Sequence, residues 1–160
     1  MSELKITLNR ATLPTLVLDK FADGAVLSVR GEENRRRTAG RTAAGALRAS
    51  GGGYRPTCRW AVSAWVSDDE KLILEEMLAL QETSPATPIY LTDEFEYLSN
   101  TKGAFYPTRV LVSGSTYTAP NGLQQSFYTF PTYLDLPDPV FAEKVTFNIW
   151  VVTLQFMEDV

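Results

Sequence analysis

Residues 31–56 (GEENRRRTAGRTAAGALRASGGGYRP) separate two stretches that alternate as strands do, and they carry almost nothing to bury. Before them, residues 25–30 (AVLSVR) read as a strand. After them, residues 57–66 (TCRWAVSAWV) read as the strongest strand of the chain, with a helix starting at Ser67. Hairpin loops usually take about 2–5 residues, and connections beyond about 12–15 are uncommon unless they serve a purpose. Leu47 and Tyr54 are the large apolar groups of the stretch, too few to offset the entropy of ordering it. The pattern predicts either a loop that stays mobile or an arm that folds against a partner.

Charge sharpens the second possibility. The stretch holds six Arg against two Glu, a net of +4, while the rest of the chain holds 9 Lys+Arg against 17 Asp+Glu, a net of −8. A basic arm on an acidic body suits self-association, arm of one copy on body of the next, and equally suits nucleic acid. The candidate contact residues are Arg35, Arg36, Arg37, Arg41, Leu47, Arg48, Tyr54 and Arg55. Arginines would pair with carboxylates in a bidentate manner, and Leu47 and Tyr54 would anchor. Residues 51–53, three glycines, read as a hinge; residues 41–49 contain helix formers able to become helical on a partner.

The 160 residues suit a single domain, residues 1–160, with residues 31–56 as its arm. Residues 5–9 (KITLN) and 15–19 (TLVLD) read as short strands, and the Asp23-Gly24 turn sends residues 25–30 back against the second. In residues 57–66, Cys58, Trp60, Val62, Ala64 and Val66 share one face, expected to be core; Trp65 lies on the other and requires a cover. Ser67-Asp68-Asp69-Glu70 is a capping box, and Ile73, Leu74, Met77, Leu78 and Leu80 follow at helical spacing, so residues 67–84 predict a helix that could cover Trp65. Further strands are expected at 88–91, 93–100, 109–113, 127–136 (bent, or at an edge, because of Pro131) and 145–156, with turns or loops at 101–107, 115–125 and 137–139. The last strand is apolar on both faces, which implies a central strand covered on both sides, by protein or by a neighbouring subunit. The expected fold is mainly β with one α-helix: an antiparallel β-sandwich or barrel with a flanking helix and a long extended loop.

Catalytic chemistry finds little foothold. The chain has no histidine, which removes the commonest general base, the Ser-His and Cys-His dyads and the usual zinc ligand. The single cysteine, Cys58, reads as a small buried apolar residue within a strand. Gly51-Gly52-Gly53 lacks the Lys-Ser/Thr of a phosphate-binding loop. Asp93, Glu94 and Glu96 could supply two carboxylates or a hard-metal site, but read first as a polar strand face. No cofactor is expected. The first residues lack the apolar run of a signal peptide, and no stretch reaches the ~20 apolar residues of a membrane helix.

The order strand, long arm, strand, single helix, then strands ending in a long C-terminal one resembles the tail-tube fold of long-tailed bacteriophages, shared by tail tube, tube-initiator and distal tail proteins. WAVSAWVSDDEKLILEEMLALQ and PIYLTDEFEYL are similar in style to small proteins of that kind. The resemblance implies two antiparallel sheets packed beside one helix and six copies joined into a ring. It implies an arm, here residues 31–56, reaching a neighbouring subunit, and adjacent tail or baseplate proteins as partners. It also implies location in the virion tail after assembly in the host cytoplasm, and an acidic lumen through which DNA passes. The chain is short for a distal tail protein with an added carrier domain. The alternatives are a nucleic-acid-binding module using the arginine arm, and a β-barrel that binds a small molecule near Phe127, Tyr128, Phe130 and Tyr133.

Overall fold

A computed structural model describes residues 4–22, 31–34, 38–41, 47–50, 56–135 and 142–159. In chain order the elements are β1 (Ile6–Asn9), β2 (Leu16–Leu18), β3 (Gly31–Asn34), β4 (Thr38–Arg41), β5 (Leu47–Ser50), β6 (Pro56–Val66), α1 (Asp68–Thr83), β7 (Ile89–Ser99), α2 (Asn100–Gly103), β8 (Val110–Leu111), β9 (Tyr117–Thr118), β10 (Gln124–Asp135), β11 (Ala142–Thr146) and β12 (Ile149–Glu158). The protein is mainly β with one main helix, an antiparallel sheet curled into a half-barrel. The strand order is β2-β1-β7-β10-β12-β6-β3, with β8 and β9 added to β10, and β11 to β12. The amide of Trp65 donates to the Lys20 carbonyl and that of Ala22 to the Ser63 carbonyl, so the chain leaving β2 returns to the far edge of the sheet at β6.

The core fills the inside of the curl. Cys58, Trp60, Val62, Ala64 and Val66 are all buried, as their alternation predicts. Facing them are Val152, Leu154 and Phe156 of β12, Phe130 and Leu134 of β10, Ile89 and Leu91 of β7, and Ile6 and Leu8 of β1. Each such side chain contributes about 1.5–3 kcal/mol by leaving water. Trp60 meets Phe130 edge to face at 4.8 Å, and its buried N–H donates to Asp93 Oδ2 at 3.1 Å, so the indole adds apolar area without leaving an unsatisfied donor.

Helix α1 closes the core with Leu74 and Met77. Its capping box is formed: Glu70 N donates to Ser67 Oγ at 3.3 Å and Ser67 N to Glu70 Oε1 at 3.2 Å. The last turn has no basic residue of its own. Arg10, buried just past β1, takes that role, donating to the carbonyls of Leu80, Ser84 and Thr87. Gln81 extends the sheet with a side chain: its amide donates to the Leu134 carbonyl at 2.8 Å and accepts from the Leu134 N–H at 2.6 Å.

Several boundaries differ from the expectation. Residues 31–56 read as a loop, yet β3 pairs with the start of β6 (Asn34 opposite Pro56) and β4 pairs with β5 (Thr38 opposite Ser50). The described parts of the stretch therefore form strand ladders: a backbone ladder needs no large side chain, so an absence of apolar residues does not forbid it. The expected strand at 25–30, the three-glycine hinge and the turn at 137–139 lie outside the described residues. The segments 88–91 and 93–100 are one strand, β7. Its register against β10 shifts between Ser126 and Tyr128, because residues 94–97 stand opposite Phe127 alone. The expected turn after it holds α2, and the expected loop 115–125 is the β9–β10 hairpin, turning at Asn121-Gly122 with Gly122 at φ +82°.

Pro131 lies in the interior of the sheet rather than at an edge. Its carbonyl accepts from Asp159 N, so its missing N–H points to the same neighbour, one position beyond the last ladder pair, Thr132 with Glu158. The ring therefore removes a donor where the ladder already ends. The expected strand 145–156 is a hairpin, β11–β12, with Thr146 opposite Ile149 and Asn148 at φ +63° in the turn. Nor does α1 cover Trp65: the helix sits on the core side, and Trp65 is 47% exposed on the outer face. That face, which includes Thr153, Val151 and Ile149 of β12, is not covered by the described residues.

Candidate interaction surfaces

Three places carry chemistry beyond the core: a buried polar knot, the 31–56 hairpin, and the outer face of the sheet. The knot lies where the chain's last strand meets its first long one. Arg109, just before β8, donates Nε to Glu158 Oε1 at 2.5 Å and Nη2 to Oε2 at 2.7 Å. Its Nη1 reaches the Lys102 carbonyl of α2 at 2.8 Å, and its plane lies over the rings of Tyr106 and Phe130. Glu158 Oε2 also accepts from Cys58 N at 2.8 Å. Burial alone would push the guanidinium pKa down, but the Glu158 carboxylate outweighs it and the pKa lies above the ordinary value. Both charges are satisfied, so the knot is a structural clamp joining β6, α2 and β12. Nothing in the residue types flagged it, because the partners are separated by 49 positions.

Asp93, singled out with Glu94 and Glu96 as a possible acidic site, is buried and occupied by the fold. Its Oδ1 accepts from Phe95 N at 2.8 Å and Glu96 N at 3.2 Å, and its Oδ2 from Trp60. The carboxylate thereby pins the bulge of β7. Glu94 pairs with Lys5 at 3.5 Å on the surface, and Glu96 is exposed. Among the described residues no group of three or more His, Cys, Asp or Glu is placed to hold a metal ion. Cys58 is buried and free of disulfide. Among the described residues no helix is long and apolar enough to cross a membrane.

Of the arm residues, Arg41 lies in β4 opposite Leu47 of β5, and Arg48 lies opposite Gly40. Arg35, Arg36, Arg37, Tyr54 and Arg55 lie outside the described residues. The aromatics considered as a small-molecule mouth divide: Phe130 is fully buried, Phe127 and Tyr128 nearly so, and Tyr133 faces outward, so they do not share one opening. Tyr128 packs its ring on Gly103, where a Cβ would collide with it, and its hydroxyl donates to Asn100 Oδ1 at 3.3 Å. Burial pushes its pKa up, with the Arg109 charge pulling in the other direction.

The outer face bears apolar groups at its two ends. At one end, the β11–β12 turn holds Phe147, 87% exposed, with Val145, Ile149 and Trp65 nearby. The turn is tied down: Asp68 N donates to Asn148 Oδ1 at 3.3 Å, and Trp150 Nε1 donates to Asp68 Oδ1 at 2.5 Å. At the other end, Tyr97 stacks on Phe127 at 4.1 Å and meets Tyr117 edge to face at 4.5 Å, with Leu123 exposed in the turn beyond. The arrangement is that of a mainly β protein with exposed apolar groups at two ends of one sheet face. Comparison with family models, with curated proteins and with solved structures finds no match to this chain.

Proposed function

We propose that this chain is a structural ring component of a bacteriophage tail, in the tube, tube-initiator, distal tail or baseplate position. It self-associates, as a hexamer in this reading, and contacts adjacent tail proteins in the virion tail after assembly in the host cytoplasm. It works by contact rather than turnover, without a cofactor, and DNA passes through the ring lumen. The observation that carries the reading is the basic stretch 31–56, whose described parts pair as β3 with β6 and β4 with β5, on an acidic, curled sheet closed by one helix. An extension whose arginines have few apolar companions gains most by pairing with carboxylates of another subunit.

Deleting residues 38–53 tests this. The pairing of Gly31–Asn34 with the start of β6 survives in principle, and shortening a surface connection costs little in closure entropy. The variant should fold, with an unchanged circular dichroism spectrum, and should sediment as a smaller species than the full chain. A second reading, nucleic-acid binding through the arginines of this stretch, predicts a different result: oligomer state unchanged and a salt-sensitive gel shift weakened, since the deletion removes Arg41 and Arg48. A deletion variant that assembles as the full chain does refutes the ring role of the hairpin.

A further inference from the structure

Two hydrogen-bond donors converge on one thioether sulfur on the outer face of the sheet. Met157 of β12 stands between Tyr133 of β10 and Arg59 of β6, in one row across three strands. Its neighbours Phe156 and Glu158 are buried, so the alternation of β12 turns Met157 outward. Tyr133 donates its hydroxyl to Met157 Sδ at 3.2 Å, and Arg59 donates Nη2 to the same sulfur at 3.5 Å. A thioether is a weak acceptor, whereas a guanidinium and a phenol are good donors, so the donors are stronger than the group they meet. Arg59 and Tyr133 are both exposed. Met77, by contrast, is fully buried in the core-facing side of α1.

We propose that Met157 is a site of oxidative modification, at which a hydroperoxide converts the thioether to the sulfoxide and Arg59 and Tyr133 hold the new oxygen. A sulfur lone pair attacks the peroxide; one S–O bond forms and the O–O bond breaks. The proton on the transferred oxygen passes to the departing one, which leaves as an alcohol, or as water when the oxidant is hydrogen peroxide. Sulfur gives up two electrons and the peroxide takes them, so the step balances without a further reactant. Oxidation turns an apolar side chain into a polar one, which in a core or an apolar contact disrupts packing. On this face the outcome differs. The sulfoxide oxygen is a better acceptor than the sulfur, and two donors already aim at the place where it forms. Both donors belong to exposed side chains, which can move outward to follow the oxygen, and the buried Phe156 behind them keeps its place in the core. The inference does not depend on the ring reading.

Treating the folded full chain with hydrogen peroxide and mapping the product by peptide mass spectrometry tests the site. Met157 should gain one oxygen about tenfold faster than the buried Met77, or more. Thermal unfolding before and after oxidation tests the capture of that oxygen, each protein being compared with its own unoxidised form. The parent should keep its melting temperature. The double variant Arg59→Leu, Tyr133→Phe should lose about 2–4 °C on oxidation, since the new polar group then lacks its donors. Tyr133→Phe alone keeps the ring and should show part of that loss, which leaves the test intact if the double variant does not fold. Adding Met157→Leu to either background should abolish the loss. A Met157 that stays unmodified under conditions that oxidise free methionine overturns the inference. So do equal shifts in the parent and both donor variants, or a loss that persists after Met157 is replaced.

Discussion

Arg109 and Glu158 meet in the core as a two-pronged pair, their nitrogen–oxygen distances 2.5 and 2.7 Å, and the same carboxylate accepts from the Cys58 amide. The pair fastens the end of the last strand to β6 and, through the Lys102 carbonyl, to α2. Burying both charges costs several kcal/mol each in desolvation, and the geometry offsets that cost only while both partners are present. Glu158→Gln should therefore destabilise the protein by about 3–5 kcal/mol in urea unfolding, because the guanidinium is left without its counter-charge. Arg109→Met in the same background should recover part of the loss. Additive losses in the double variant would show that the pair is not a unit.

Tyr128 adds a pH dependence to stability in the alkaline range. Burial raises its folded pKa above that of the unfolded chain, where tyrosine titrates near ~10. A raised folded pKa means that the neutral form is the one the fold favours. The contribution is complete below the unfolded pKa and is lost as pH rises through the folded one. Stability should thus fall above pH ~10, and Tyr128→Phe should flatten that fall while sacrificing the hydrogen bond to Asn100. Thermal unfolding of both proteins at neutral and alkaline pH measures it; parallel curves would refute it.

Gly103 has no room for a side chain, since a Cβ there meets the Tyr128 ring. Gly103→Ala should cost about 1–3 kcal/mol by forcing that ring aside. The expected signature is a change in the near-ultraviolet circular dichroism with the far-ultraviolet spectrum preserved. An unchanged denaturation midpoint would mean that the ring moves freely.

Arg10 holds the end of α1 from outside the helix. Arg10→Met keeps much of the apolar stem and removes the donors to three carbonyls. A loss of about 1–3 kcal/mol is expected. Hydrogen exchange should accelerate over the last turn of α1 more than over its capped first turn. Uniform exchange along the helix would contradict a local role.

Asp93→Ala removes the acceptor of the Trp60 indole and of two amides in the β7 bulge. With buried donors left unpaired, a destabilisation above ~2 kcal/mol and a shift in tryptophan fluorescence are expected. Were Asp93 a catalytic or metal-binding carboxylate instead, the substitution would leave stability nearly intact.

Local pattern carried the elements whose causes are local. The alternation at Cys58–Val66 predicted the buried face, and Ser67 and Glu70 predicted the helix start, because each depends on neighbours within a few residues. Where the outcome depends on a distant partner, the sequence was silent or misleading. Residues 145–156 read as one strand, since the Phe147-Asn148 turn lacks a glycine or proline, yet Asn148 accepts from Asp68 N and the chain reverses there. The 31–56 stretch read as a basic loop or arm without strands, since ladders of small residues leave no hydrophobic period. Pro131 argued for an edge or a bend, and only the register with Asp159 shows why an interior position tolerates it. The composition and alternation of this chain determined that it would be a β protein with one capped helix, because burial and capping act through nearby residues. The pairing of Arg109 with Glu158, the capping of α1 by Arg10 and the exposure of Phe147 were decided by tertiary structure alone, since each joins or exposes groups that only the folded sheet brings into place.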